Sequence, residues 1–218
     1  MSQQDDYNRK NMAIILHLAQ EDDASVQELR SVLSNKPFGF VVTLKSGVES
    51  TCEESLTVLT DLQKIEQQTN VFIYIKADSV VQDNQRLYLS CKNETSQITQ
   101  SGLIPIEDLV KEMISIGARH IGLILDIPLS YKTQKDSLKG LEPFIKGIAF
   151  REINDYEHLR SIHLILRIDG SKDNKFLRRT IDILDSNTSM FALGYNIGVP
   201  RLFFELIGSE HGDFDFQL

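Results

Sequence analysis

The sequence lacks several features that mark large classes of proteins. It has only two cysteines, Cys52 and Cys91, among 218 residues, too few for a disulfide scaffold or a structural zinc site. Its apolar runs, such as 121–125, fall far short of the roughly 20 residues that cross a bilayer. No charged and then apolar leader opens the chain. We therefore expect a soluble, cytoplasmic protein with no membrane contact.

Basic residues and glycine motifs are also scarce. The 31 acidic and 23 basic residues give a net charge of -8, which repels a phosphate backbone, so nucleic acid is not an expected partner. The glycines form neither Gly-x-Gly-x-x-Gly nor a Walker A motif, so a nucleotide site has no support. The five histidines show no recognisable ligand spacing. We expect no metal and no other cofactor.

The chain is instead built from short apolar segments that alternate with amphipathic ones. Strands are predicted at 12–19, 38–44, 71–75, 87–89, 120–126 and 161–168, and helices start near 25, 52, 106 and 176. Ser25 and Glu28 have capping-box spacing at the first helix. Nearly continuous apolar strands separated by helices predict an α/β fold with a mostly parallel central sheet and helices on both faces. Without a linker or repeat, residues 1–218 are interpreted as one domain.

Candidate functional residues follow two of these strands, because open α/β sheets bind ligands beyond the carboxyl ends of their strands. The first segment reads Lys-Ala-Asp-Ser over 76–79, and the second reads Asp-Ile-Pro-Leu-Ser-Tyr over 126–131. The carboxylates Asp78 and Asp126 are therefore the first residues to consider.

These segments and their order resemble the caspase-like cysteine peptidases, which include caspases and metacaspases. In that family an aromatic-rich strand ends in Ser-Gly-His-Gly, a Leu-Tyr-Leu hairpin and a helix follow, and a later strand ends in Leu-Asp-x-Cys-x-Ser-Gly. The corresponding segments of this chain are 72–79, 87–89, 102–109 and 123–130. Pro200 and the Gly-Asp-Phe at 212–214 resemble the end of bacterial members. The resemblance covers about residues 10–216.

The resemblance implies a caspase-like three-layer sandwich that has lost its catalytic dyad. The histidine of the family falls on Asp78 and the nucleophilic cysteine falls on Pro128, and neither can form a thiolate and imidazole pair. Proline also has no N–H that could contribute to an oxyanion hole. Ser130 matches the serine of the motif, whereas Tyr131 stands where the family has glycine.

A binding role is the function that this degenerate motif implies. In metacaspase-like relatives the aspartate two residues before the cysteine lines an acidic pocket for a basic side chain, and Asp126 occupies that position. Asp78, Asp126, Ser130 and Tyr131 are therefore expected to line a groove for a protein partner, such as an active caspase-like protease or a basic peptide segment. The apolar last strand, with Leu202, Phe203 and Phe204, is expected to form a homodimer or a heteromer.

The expected function is thus that of an inactive caspase-like domain, a pseudoprotease, that acts as a protein-binding, scaffolding or regulatory subunit, for example in a cytoplasmic stress or defence assembly. The alternative is a doubly wound α/β hydrolase or small-molecule-binding domain that uses Asp78 and Asp126. Strand order should separate the two. The caspase-like arrangement places strands 71–75 and 120–125 side by side, with an antiparallel strand at one edge of the sheet. It also places Asp78 and Pro128 at the mouth of one cleft.

Overall fold

The computed structural model describes the part of the chain that contains the predicted strands. The described residues are 11–18, 24–35, 40–46, 57, 70–77, 79–83, 86–90, 103–114, 116, 118–127, 161–167, 174–186, 189–198 and 201–207.

Nine strands and four helices lie in these residues. The strands are β1 (Met12–His17), β2 (Val41–Ser46), β3 (Asn70–Lys76), β4 (Ser79–Asp83), β5 (Arg86–Ser90), β6 (Leu103–Pro105), β7 (His120–Asp126), β8 (Ser161–Arg167) and β9 (Arg201–Ile207). The helices are α1 (Ala24–Ser34), α2 (Ile106–Ile114), α3 (Lys175–Asp185) and α4 (Met190–Asn196).

Six strands form a central sheet in the order β2-β1-β3-β7-β8-β9. The first five run parallel, and β9 pairs with β8 in the antiparallel direction. Strands β3 and β7 are neighbours, so both features of the strand order expected above are observed. The remaining strands form a small antiparallel sheet in the order β4-β5-β6, which follows β3 directly in sequence.

Helices cover both faces of the central sheet because its inner strands are apolar on both sides. One face, called here the α1 face, packs against α1, α3 and α4, with side chains such as Phe72, Leu29 and Phe176 in the core. The opposite α2 face packs against α2 and the small sheet, with Ile73, Val110 and Leu89 among its buried residues. The predicted α/β class, with a mostly parallel sheet between layers of helices, is confirmed.

The predictions for individual helices and strands are only partly confirmed. The apolar face of α1, formed by Val26, Leu29 and Leu33, is buried as predicted. The capping box is wrong, because α1 begins at Ala24 and Ser25 lies buried within its first turn instead of preceding it. Strands β4 and β6 and helix α4 were not predicted. The predicted long helix from residue 52 lies outside the described residues except for Thr57, which is helical.

No helix in the described part of the chain combines the length and the apolar character that a membrane crossing requires.

Candidate functional site

The carboxyl ends of the parallel strands bring polar side chains into one row. His17, Lys76 and Asp126 are register partners at the last positions of β1, β3 and β7. Arg167 follows on β8, since the preceding residues of β7 and β8 are paired with each other. Alternation along each strand places these four residues on the α1 face, two positions after the core residues of that face.

Asp126 is the centre of a buried polar cluster in this row. Its Oδ2 atom accepts a hydrogen bond from the hydroxyl of Tyr74, and its Oδ1 atom accepts one from Nη1 of Arg167 at 2.8 Å. Asp126 and Arg167 are each 2% exposed, and Tyr74 is fully buried. The charge of Asp126 is therefore balanced by a guanidinium group of the same chain.

The first turn of α3 covers this cluster. The guanidinium carbon of Arg167 lies 5.8 Å from the centre of the Phe176 ring, within the range of a cation–π contact. Just before the helix, Oδ1 of Asn174 accepts a hydrogen bond of 2.7 Å from Nζ of Lys76. These two contacts fix the start of α3 against the ends of β3 and β8.

Most of the expected site residues, those of the degenerate dyad and those of the groove, lie outside the described residues. This applies to Asp78, Pro128, Ser130 and Tyr131. The strand ends that precede Asp78 and Pro128 are described, and they lie close to each other. The N–H of Ala77 donates to the carbonyl oxygen of Asp126 at 3.3 Å. Chain positions 78 and 128 thus follow directly on from neighbouring strand ends.

Asp126 is held differently from an acid on a solvated loop. Both of its carboxylate oxygens already accept hydrogen bonds from within the chain, and little of its surface reaches solvent. An incoming basic group would need to compete with Arg167 for this carboxylate. Its expected docking role stays a prediction, and so does that of Asp78.

The proposed interface residues Leu202, Phe203 and Phe204 belong to β9, the outermost strand on one side of the sheet. Their backbone partners on β8 are Leu166, Ile165 and Leu164 respectively. Within the described residues β9 is hydrogen-bonded to β8 alone, so its expected role as an interface strand stays a prediction.

No group of three or more His, Cys, Asp or Glu residues in the described part of the chain could hold a metal ion. His120 instead lies beside Ser161, with 2.8 Å between Nδ1 and Oγ, and His17 and His163 are buried within the fold. Both cysteines lie outside the described residues.

Sequence reasoning missed Tyr74, Arg167 and Phe176. Arg167 carried a usable signal, since a charge near the end of the predicted strand 161–168 comes close to the criterion that selected Asp126. Tyr74 gave no separate signal, because an aromatic residue within an apolar strand is normally part of the core.

No protein-family model matches this chain, and no curated protein matches it. A solved structure does match: protein GSU0716 from Geobacter sulfurreducens has 12% sequence identity and a TM-score of 0.56. The alignment covers 92% of this chain and 95% of that chain. This likeness shows a common α/β fold across nearly the whole length of both proteins.

Proposed function

We propose that this protein is a catalytically inactive caspase-like domain that serves as a protein-binding, scaffolding or regulatory subunit, for example in a cytoplasmic stress or defence assembly. The observation that carries the proposal is the register between Lys76 and Asp126, which makes the strand ends before positions 78 and 128 neighbours. Those are the two positions where the resemblance expects the catalytic pair, and they hold aspartate and proline.

The arrangement around the sheet gives further support. An antiparallel strand, β9, closes one edge, and the small sheet contains the Leu-Tyr-Leu segment of the resemblance in β5. The parallel strands alone would not discriminate between the two interpretations, because the order β2-β1-β3-β7-β8 also occurs in doubly wound small-molecule-binding folds. The combination with β9 and the inserted small sheet favours the caspase-like interpretation.

The state of Asp126 weighs against the hydrolase alternative. A general base or a cation ligand needs a carboxylate oxygen that is open to the substrate or the ion. In this chain both oxygens are engaged by Tyr74 and Arg167. A pair of catalytic acids at 78 and 126 would have to use a carboxylate that is buried and already paired with Arg167.

An introduced thiol tests the proposed placement of positions 78 and 128. In a Cys52→Ser/Cys91→Ser background, Pro128→Cys supplies a thiol, and Asp78→His supplies an imidazole in the second variant. If the two positions face one cleft, the imidazole should lower the pKa of the thiol relative to Pro128→Cys alone, since a neighbouring cation favours the thiolate. The measurement is the rate of alkylation by iodoacetamide as a function of pH. Equal pH profiles for both variants would refute the caspase-like placement.

A binding function is tested separately with the native partner. The full chain is used to capture proteins from its host, the captured protein is produced in pure form, and its affinity is measured by isothermal titration. Saturable binding by the parent chain supports the proposal. An absence of saturable binding by any captured protein contradicts it.

A further inference from the structure

We propose that Asp126, Tyr74 and Phe176 form a guanidinium-binding site that Arg167 of the same chain occupies, which closes the site to arginine side chains of other proteins. The existence of the site rests on its geometry alone. The claim that Arg167 keeps a partner's arginine out of the site rests on the proposed function.

The carboxylate provides the charged wall of this site. Asp126 and Arg167 lie at adjacent positions on β7 and β8, and Nη1 is 2.8 Å from Oδ1. With their side chains 1% and 3% exposed, little water competes for the contact. Charge-assisted hydrogen bonds of this kind are among the stronger polar contacts in proteins.

The two aromatic residues provide the other walls. Phe176 offers a ring face to the guanidinium group, and the Tyr74 hydroxyl donates to the second carboxylate oxygen. The hydroxyl thus fixes the orientation of the carboxylate towards Arg167. The cation that makes both contacts here is a guanidinium group, and its planar, weakly hydrated shape suits a ring face beside a carboxylate better than an ammonium ion does.

These contacts define what the site accepts. Removal of the Arg167 side chain leaves a space lined by Phe176, with a buried carboxylate that has lost its cation. A small guanidinium ion supplies the missing charge and the planar shape together. In the parent chain the tethered Arg167 group has a high effective concentration, so a free guanidinium or a partner's arginine is excluded.

Chemical rescue tests the inference. The Arg167→Ala variant of the full chain is unfolded by urea with and without methylguanidinium at millimolar concentration, well below denaturing levels. At a concentration ten times its dissociation constant, methylguanidinium should raise the folding equilibrium constant of the variant roughly tenfold. The parent chain should not respond, because its site is already occupied.

Three controls make this result specific. Arg167→Met fills most of the space, so methylguanidinium should not stabilise it. Asp126→Asn/Arg167→Ala lacks the charge, so it should not respond either. Ethylammonium, a cation of similar size without the planar group, should stabilise Arg167→Ala less than methylguanidinium does.

Two results would overturn the proposal. One is an equal response of the parent chain and Arg167→Ala, and the other is no response of Arg167→Ala at any concentration tested. If Arg167→Ala does not fold alone, its refolding yield from urea becomes the measurement. Recovery with methylguanidinium then supports the site, and no recovery contradicts it.

The rescue experiment tests the guanidinium site, and the thiol titration at position 128 tests the proposed caspase-like placement, so either proposal can be refuted without the other. Rescue of Arg167→Ala with equal thiol profiles would leave a guanidinium site in a domain that is not caspase-like. A shifted thiol profile without rescue would leave the proposed domain type and remove the self-occupied site.

Discussion

The Arg167 guanidinium and the Asp126 carboxylate form a buried ion pair that joins the ends of β7 and β8. We expect Asp126→Asn to lower the free energy of unfolding by about 3–5 kcal/mol, because it removes one member of a buried ion pair. The measurement is equilibrium unfolding in urea. A loss below about 1 kcal/mol would mean that water or another group of the chain satisfies Arg167 once the carboxylate is gone.

A matched double variant separates the charge from the packing. Asp126→Leu/Arg167→Met replaces the pair by apolar side chains, and such replacements are often neutral or stabilising. We therefore expect it to be more stable than Asp126→Asn alone. If it is the less stable of the two, the hydrogen bond from Tyr74 rather than the balance of charge dominates.

Catalytic activity is expected to be absent. Neither aspartate at position 78 nor proline at 128 can form the thiolate and imidazole pair of a cysteine peptidase. The purified chain should leave peptides with Arg, Lys or Asp before the scissile bond uncleaved. Cleavage that persists in Cys52→Ser/Cys91→Ser would support the hydrolase alternative, and cleavage lost with Cys91→Ser would identify a different nucleophile.

The sequence predicted the central sheet well because its inner strands are buried on both faces. Buried strands such as β3 and β7 are nearly continuous apolar runs between polar end residues, and they stand out from the helices between them. Strand β6 was not predicted because it has three residues, too few to show a period. The start of α1 was misplaced because Ser25 and Glu28 satisfy the capping-box spacing although the helix already begins at Ala24.

In the candidate site, the sequence predicted Asp126 but not the residues that contact it. Asp126 could be found by its position at a strand end, but its partner Arg167 lies 41 residues further along the chain. Only the pairing of β7 with β8 brings the two together. The sequence pattern places each residue at or near the end of a predicted strand, and it carries no information on which strands are neighbours.

Gly122 on β7 should not tolerate a larger residue, because Met190 of α4 packs directly against it. A Cβ atom at this position would lie 3.0 Å from both Cγ and Sδ of Met190. We expect Gly122→Ala to cost about 1–3 kcal/mol of unfolding free energy through overpacking. In a double-mutant cycle with Met190→Ala, the two effects should not add. Strict additivity would show that Met190 moves aside freely.

The β9 edge is expected to mediate association, either as a homodimer or with another protein. Phe203→Glu places a charge in the strand that an incoming strand would pair with, and charges at an edge oppose such pairing. The expected result is a smaller assembly in sedimentation experiments and weaker partner binding. The variant must unfold at the same urea concentration as the parent for this comparison to hold. A parent chain that stays monomeric at high concentration, with partner binding unaffected by Phe203→Glu, would contradict the prediction.

The docking groove is best tested at position 78, because a change at Asp126 also removes the counter-charge of Arg167. Asp78→Asn keeps the shape of the side chain and removes its charge. If a basic group of the partner binds there, the variant should bind about 1–3 kcal/mol more weakly, and the salt dependence of binding should become less steep. Isothermal titration at two salt concentrations measures both effects, with Asp108→Asn, an exposed acid on α2, as the control. Asp126→Asn is compared at the same folded fraction as the parent chain. If both Asp78→Asn and Asp126→Asn bind the partner as tightly as the parent chain, the partner docks elsewhere on the protein.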